Sequence, residues 1–309
     1  MRIGLIDVDK GTYPNLVLMK LSAYHKEQGD EVEWYVPFTD RYDRVYLSKV
    51  FSFTPDYDLC INADEVVRGG SGYAIKMENG KEVFDHYKNA PLPSYIEHIY
   101  PDYSLYPNNN STAYGFLTRG CPRGCGFCIV GEKEGRKSVK VADLNEFWKG
   151  LKNIVLYDPN FLACKEWKNL LEQLEASSAL IDFNQGLDIR MMTEEKAEML
   201  SRLRMKEIHF AWDRYEDKEM ILPKFKMFHE ITSNKFRAKD AIVMTIVNYS
   251  TTFEQDLDRI YTLRDIGYWP YVMVYDKAHC DRKYRSLQRW VNNRYVFDKV
   301  KRFEDYRPV

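Results

Sequence analysis

No stretch of about 18 uncharged apolar residues occurs in this chain of 309 residues, so no transmembrane helix is expected. There is no charge excess either. The 45 Lys and Arg against 46 Asp and Glu leave a formal net charge of −1, which gives no global argument for a nucleic-acid or membrane surface. Met1–Asp7 meets charge too early for a signal peptide and reads as a first strand instead. Internal repeats and low-complexity tracts are missing. Cysteine is sparse and unevenly placed: of six, Cys60, Cys164 and Cys280 are scattered, which excludes a secreted disulfide framework. A reducing, cytoplasmic location with no membrane partner is therefore the expectation. At 45% apolar the chain can build a sizeable core, in two modest domains or one with an appendage.

What the chain does have is a concentration of thiols. Cys121, Cys125 and Cys128 lie within LTRGCPRGCGFC (117–128), a C-x3-C-x2-C spacing. Thiolates are the usual protein ligands of iron–sulfur clusters. Three on one Gly-rich loop can hold three irons of a four-iron cube and leave the fourth open to a small molecule. The alternative of zinc normally takes four ligands, and no further Cys or His is near, since His98 lies upstream and the next is His209.

The spacing, the Gly before the first and second cysteine, and Phe127 before the third resemble the cluster motif of the radical S-adenosylmethionine (radical SAM) superfamily. The resemblance implies a 4Fe-4S cluster on Cys121, Cys125 and Cys128, with SAM chelated at the open iron. It further implies reductive cleavage of SAM to a 5′-deoxyadenosyl radical and hydrogen-atom abstraction from a substrate, small molecule or nucleic acid. An external electron donor such as flavodoxin or ferredoxin follows. Methyl transfer, rearrangement and ring formation all stay open. Sulfur insertion, as in methylthiotransferases, is disfavoured because only Cys60 precedes the motif, whereas those proteins carry three further N-terminal cysteines.

The expected fold class is α/β: an N-terminal Rossmann-like parallel sheet followed by a partial (β/α)6 TIM barrel of radical SAM type. Strands are predicted at Ile3–Val8, Val32–Val36, Val45–Phe51 and Leu59–Ile61, with a helix opened by Pro14 and ended by Gly29, and a Gly69–Tyr73 loop beyond. Residues 1–90 resemble the cobalamin-binding-like domain of one radical SAM class in layout only. The family's D-x-H-x-x-G is replaced by a loop from Asp7 to Tyr13 with no His, so the domain reads as degenerate; cobalamin without a His ligand stays open, though the motif does not support it. Residues 91–111 read as a linker, 112–280 as the barrel and 281–309 as a C-terminal capping helix and tail. Six further strands are predicted: Ala113–Leu117, Asn153–Tyr157, Leu180–Phe183, Glu207–Trp212, Ala241–Val247 and Tyr271–Tyr275. The cluster loop follows the first of them, where the family keeps it.

Ligands of parallel βα folds bind at the carboxyl ends of strands, and polar residues there are the remaining candidates. Asp158 and Asn160 stand where the family commonly uses a Gly-Gly-Glu type sequence for the SAM amino group; an Asx-turn is the alternative. Gln185, Asp188 and Arg190 follow the third strand, where the Arg can pair in bidentate fashion with the SAM carboxylate. Asp213 follows the fourth. Ile246 and Asn248 end the fifth, where the family places adenine and ribose contacts. Asp276 and Cys280 follow the sixth and are the candidate catalytic groups. Phe127 completes the cofactor set. Interleaved cations and aromatics at 283–302 suit a capping helix, or a nucleic-acid contact in addition. A rival reading is an electron-transfer iron–sulfur protein whose open iron is closed by Cys164 or Cys280.

Overall fold

The structure, a computed structural model, describes residues 1–307 apart from 12, 79–80 and 233–234. The chain divides into two compact units, Met1–Pro159 and Asn160–Val309.

In the first unit, β1 (Arg2–Asp7) is buried on both faces, as a strand inside a parallel sheet must be. Ile3 and Leu5 pack with Leu18 and Leu21 on one side, while Ile6 and Val8 pack with Tyr42, Val45 and Leu47 on the other. Asn15 caps α1 (Leu16–Glu27), its side-chain oxygen accepting from the Leu18 N–H at 3.3 Å. Gly29, at φ +80°, ends the helix. With β2 (Glu31–Trp34), β3 (Tyr42–Ser48) and β4 (Ala63–Gly69), β1 forms a parallel sheet in the order β2-β1-β3-β4. The predicted fourth strand at Leu59–Ile61 is corrected: Leu59 is exposed and the strand begins at Ala63. Its charged residues Asp64, Glu65 and Arg68 hid it, because an edge strand can keep them in solvent.

Next come α2 (Ser71–Ala74), the antiparallel pair β5 (Ile75–Glu78) and β6 (Lys81–Phe84), and α3 (Ser94–Glu97). β7 (Thr112–Gly115) and β10 (Asn153–Leu156) pair in parallel. Between them β8 (Thr118–Arg119) and β9 (Val139–Lys140) pair antiparallel and enclose α4 (Val130–Lys133).

The second unit alternates helix and strand: α5 (Trp167–Ser177), β11 (Leu180–Phe183), α6 (Glu194–Arg202), β12 (Ile208–Ala211), α7 (Lys218–Thr232), β13 (Ala241–Val247), α8 (Phe253–Asp265) and β14 (Trp269–Val274). β12, β13 and β14 form a parallel sheet in that order. Parallel bridges Leu180↔Arg204 and Leu187↔Phe210 set the course of the chain around β11. Helix starts are marked by hydroxyl caps, Thr193 for α6 and Thr252, with Gln255, for α8. Two further helices, α9 (Arg282–Asn292) and α10 (Arg294–Lys299), bury Tyr284, Leu287, Trp290, Val291 and Phe297 in a cluster with Val247, Ile260 and Val272. The chain is thus mixed α/β with parallel sheets.

Candidate functional site

The cysteine loop leaves β8 and returns through β9, directly after β7. Its base is fixed by backbone geometry. Gly120 sits at φ +84°, and a Cβ there would lie 2.1 Å from the Lys137 carbonyl oxygen, so no other residue fits without moving the chain. The Cys121 N–H donates to the Gly135 carbonyl at 3.0 Å, and the Cys128 N–H to the Cys125 carbonyl at 3.0 Å. Cys121 and Cys125 are half-buried and Cys128 is exposed. Phe127 is half-buried.

The loop is electropositive. Residues 119–137 carry Arg119, Arg123, Lys133, Arg136 and Lys137 against Glu132 and Glu134. Arg136 lies over the loop backbone, its guanidinium 3.1 Å from where a Gly124 Cβ would stand and 3.6 Å from one on Gly131. Arg119 stacks 3.8 Å above the Phe116 ring and faces Glu134 at 3.5 Å. Among the described residues no group of three or more His, Cys, Asp or Glu is arranged to hold a metal ion. The donor set, three thiols among cations, fits an anionic iron–sulfur cluster with one open iron.

Asp158 is buried and brackets this loop. One carboxylate oxygen accepts from the Thr118 N–H at 2.5 Å and the Thr118 hydroxyl at 2.7 Å, the other from the Leu117 N–H at 3.2 Å. Burial pushes its pKa up to about 6 against the pull of these hydrogen bonds.

In the second unit Asn160, Asp188 and Arg190 form a connected polar set at the strand ends. The Asn160 amide donates to Asp188 at 3.1 Å, and Asp188 accepts from Arg190 Nε at 2.7 Å and its N–H at 3.1 Å. Arg190 Nη1 also reaches Asp217 at 3.1 Å. Gln185 is exposed on the turn before Gly186. Asp213 accepts from the Ile246 N–H at 3.2 Å, and burial raises its pKa. Asn248 takes the left-handed conformation, φ +64°, its N–H held by Asp256 at 3.1 Å and its amide donating to the Tyr275 carbonyl at 3.0 Å. Asp276 is exposed and meets His279 Nδ1 at 2.8 Å. Cys280 is buried in the cluster around Trp290, its thiol toward the Lys277 carbonyl at 3.5 Å.

Sequence reasoning missed Asp256 and Arg259, a fully buried ion pair on α8. Arg259 donates to the Trp212 carbonyl at 2.6 Å and the Ile246 carbonyl at 2.7 Å, tying the ends of β12 and β13 together. The signal was the spacing: Asp256 and Arg259 fall on the same helical face as Ile260 and Leu263.

The strand-end loops of the first unit's four-stranded sheet close on one another. Asp9, at the position of the cobalamin motif's His, accepts from the Val50 N–H at 2.5 Å, the Thr54 hydroxyl at 2.6 Å and the Phe51 N–H at 3.3 Å. Glycines at 70 and 72 let the chain's own Lys49 approach, at 2.3 Å and 2.6 Å from where their Cβ atoms would be. With no imidazole in the loop, these residues do not fit a His-ligated cobalamin.

No family model matches the chain, and no curated protein matches it in sequence. Among solved structures it is similar to the radical S-adenosylmethionine methyltransferase TsrM from Kitasatospora setae, with cobalamin and a 4Fe-4S cluster bound. The TM-score is 0.61 and the identity 11%, over 88% of this chain and 74% of that one, a likeness of fold.

Proposed function

We propose that this chain is a radical SAM enzyme. One observation carries the reading: three cysteines at radical SAM spacing sit on a pinned, cation-rich loop directly after a parallel strand, in a chain whose fold is like that of a radical SAM methyltransferase. In this reading β7, β10, β11, β12, β13 and β14 serve as the strands of a partial (β/α)6 barrel. A 4Fe-4S cluster would be held by Cys121, Cys125 and Cys128 and, when reduced, would supply the electron for reductive cleavage of SAM.

The chain's residues then have separable tasks. Cys121, Cys125 and Cys128 hold the irons, and Arg136 offsets negative charge over the loop. Asp188 and Asn160 hold Arg190 ready to meet a carboxylate. Asp213, Ile246 and Asn248 offer polar contacts whose backbone is set by Arg259 and Asp256. The rival electron-transfer reading needs Cys164 or Cys280 as a fourth ligand; both are buried and directed to Glu166 and to the Lys277 carbonyl. No step is routed through cobalamin. The electron donor in this reading is external, such as a flavodoxin or ferredoxin.

The test is anaerobic: reconstitute with iron and sulfide, reduce, add SAM, and quantify 5′-deoxyadenosine against Cys125→Ala. Product in the parent alone supports the proposal. A loaded, reducible cluster that gives neither product nor a SAM-dependent change in its EPR spectrum overturns it.

A further inference from the structure

The chain's near-neutral charge conceals a segregated basic surface. Residues 276–302 carry nine Lys and Arg against three Asp, so the rest of the chain has a net charge of −7 within the total of −1. On α9 the cations are ordered. Arg282, Arg285 and Arg289, all exposed, repeat at three and four residues and so share one face, spanning a rise of about 10 Å. The opposite face, Tyr284, Leu287, Trp290 and Val291, is locked into the core. Arg285 leans back onto the Ala278 carbonyl at 3.3 Å, which joins this stripe to the exposed Lys277 in the loop after β14. The next helix, α10, carries Tyr295, 74% exposed, with exposed Arg294 and Lys299; Arg294 faces Glu207 at 3.9 Å.

We infer that this face binds a single-stranded nucleic acid and that the substrate class of the proposed enzyme is nucleic acid; the second half rests on the radical SAM reading. A row of guanidinium groups matches a repeating phosphate charge, and an exposed Tyr flanked by cations offers a stacking platform for a base. A membrane surface fits less well, because interfacial helices insert an apolar face and that of α9 is already buried. A protein partner fits less well too, since interface cores are depleted in charge and rich in apolar anchors.

The experiment is fluorescence anisotropy on the full chain with a labelled single-stranded RNA of about 16 nucleotides, alongside the same sequence as DNA and as duplex. The parent is expected to bind a single strand with strong salt dependence. A triple variant, Arg282→Glu, Arg285→Glu and Arg289→Glu, is expected to bind at least about tenfold more weakly and to lose about 2 from the slope of log K against log salt. A control reversing Lys81, Lys88 and Lys152, exposed elsewhere, is expected to bind like the parent. Three results overturn the inference: no binding at about 50 mM salt, equal loss in the control, or preference for duplex or for phosphatidylserine vesicles. Iron loading and deoxyadenosine formation of each variant are measured separately. A loaded, SAM-cleaving protein without nucleic-acid binding sinks this inference alone. Binding without SAM cleavage sinks the enzyme reading and leaves the surface standing.

Discussion

Asp158→Asn isolates one proton at the threshold of the cysteine loop. In the folded chain the Asp158 carboxyl titrates at about 6, against about 3.9 for an unburied Asp. Its folded-state pKa is raised, so the folded chain holds the proton more tightly than the unfolded one. The stabilisation is fully present below about pH 4 and is lost as pH rises through 6, in total about 3 kcal/mol. Between about pH 4.5 and 7.5 the loss is about 2 kcal/mol. Asparagine cannot ionise, and its one oxygen cannot serve both the Leu117 and the Thr118 donors, so the variant has its own fixed offset. The change of that offset with pH comes from the proton. Urea melts of cluster-free parent and variant across that range are expected to show the parent losing about 2 kcal/mol relative to the variant. A flat difference, or one growing in the parent's favour as pH rises, refutes the burial argument.

Gly120→Ala meets the Lys137 carbonyl and an unfavourable left-handed backbone, costing more than the about 1–2 kcal/mol of the backbone alone; iron content per chain after reconstitution is expected to collapse while the far-UV circular dichroism stays. Arg259→Met leaves Asp256 as a buried unpaired charge and strips two carbonyls of a donor, and a loss of about 3–5 kcal/mol in urea melts is expected; a loss below about 1 kcal/mol would show the pair to be dispensable.

The legible parts of the sequence were those where period and composition agree. β13 starts and stops where its apolar run does, because a strand covered on both faces has little room for polar residues. β4 was missed for the opposite reason, its charges being affordable at an edge. The β8–β9 pair, two residues each, is too short to leave a periodic trace. Asp158 was legible as a polar strand-end residue, but not the hydrogen bonds it makes to backbone about 40 positions earlier. Arg259 was not singled out because a charged residue in a helix is usually solvated; only the facing carbonyls reveal it.

The cysteine loop departs and returns through neighbouring partners, Arg119 opposite Val139 and Thr118 opposite Lys140. Such a loop is a side excursion: opening it breaks few contacts of the sheet beneath, and its ends stay together at nearly constant entropic cost whatever its length. Oxidative loss of a cluster would then be a local injury. Under the proposed reading, the chain that remained would keep its registry and offer its thiols to a fresh iron and sulfide supply without refolding. Hydrogen exchange would show this as fast amides between 121 and 137 beside slow ones in β7 and β10.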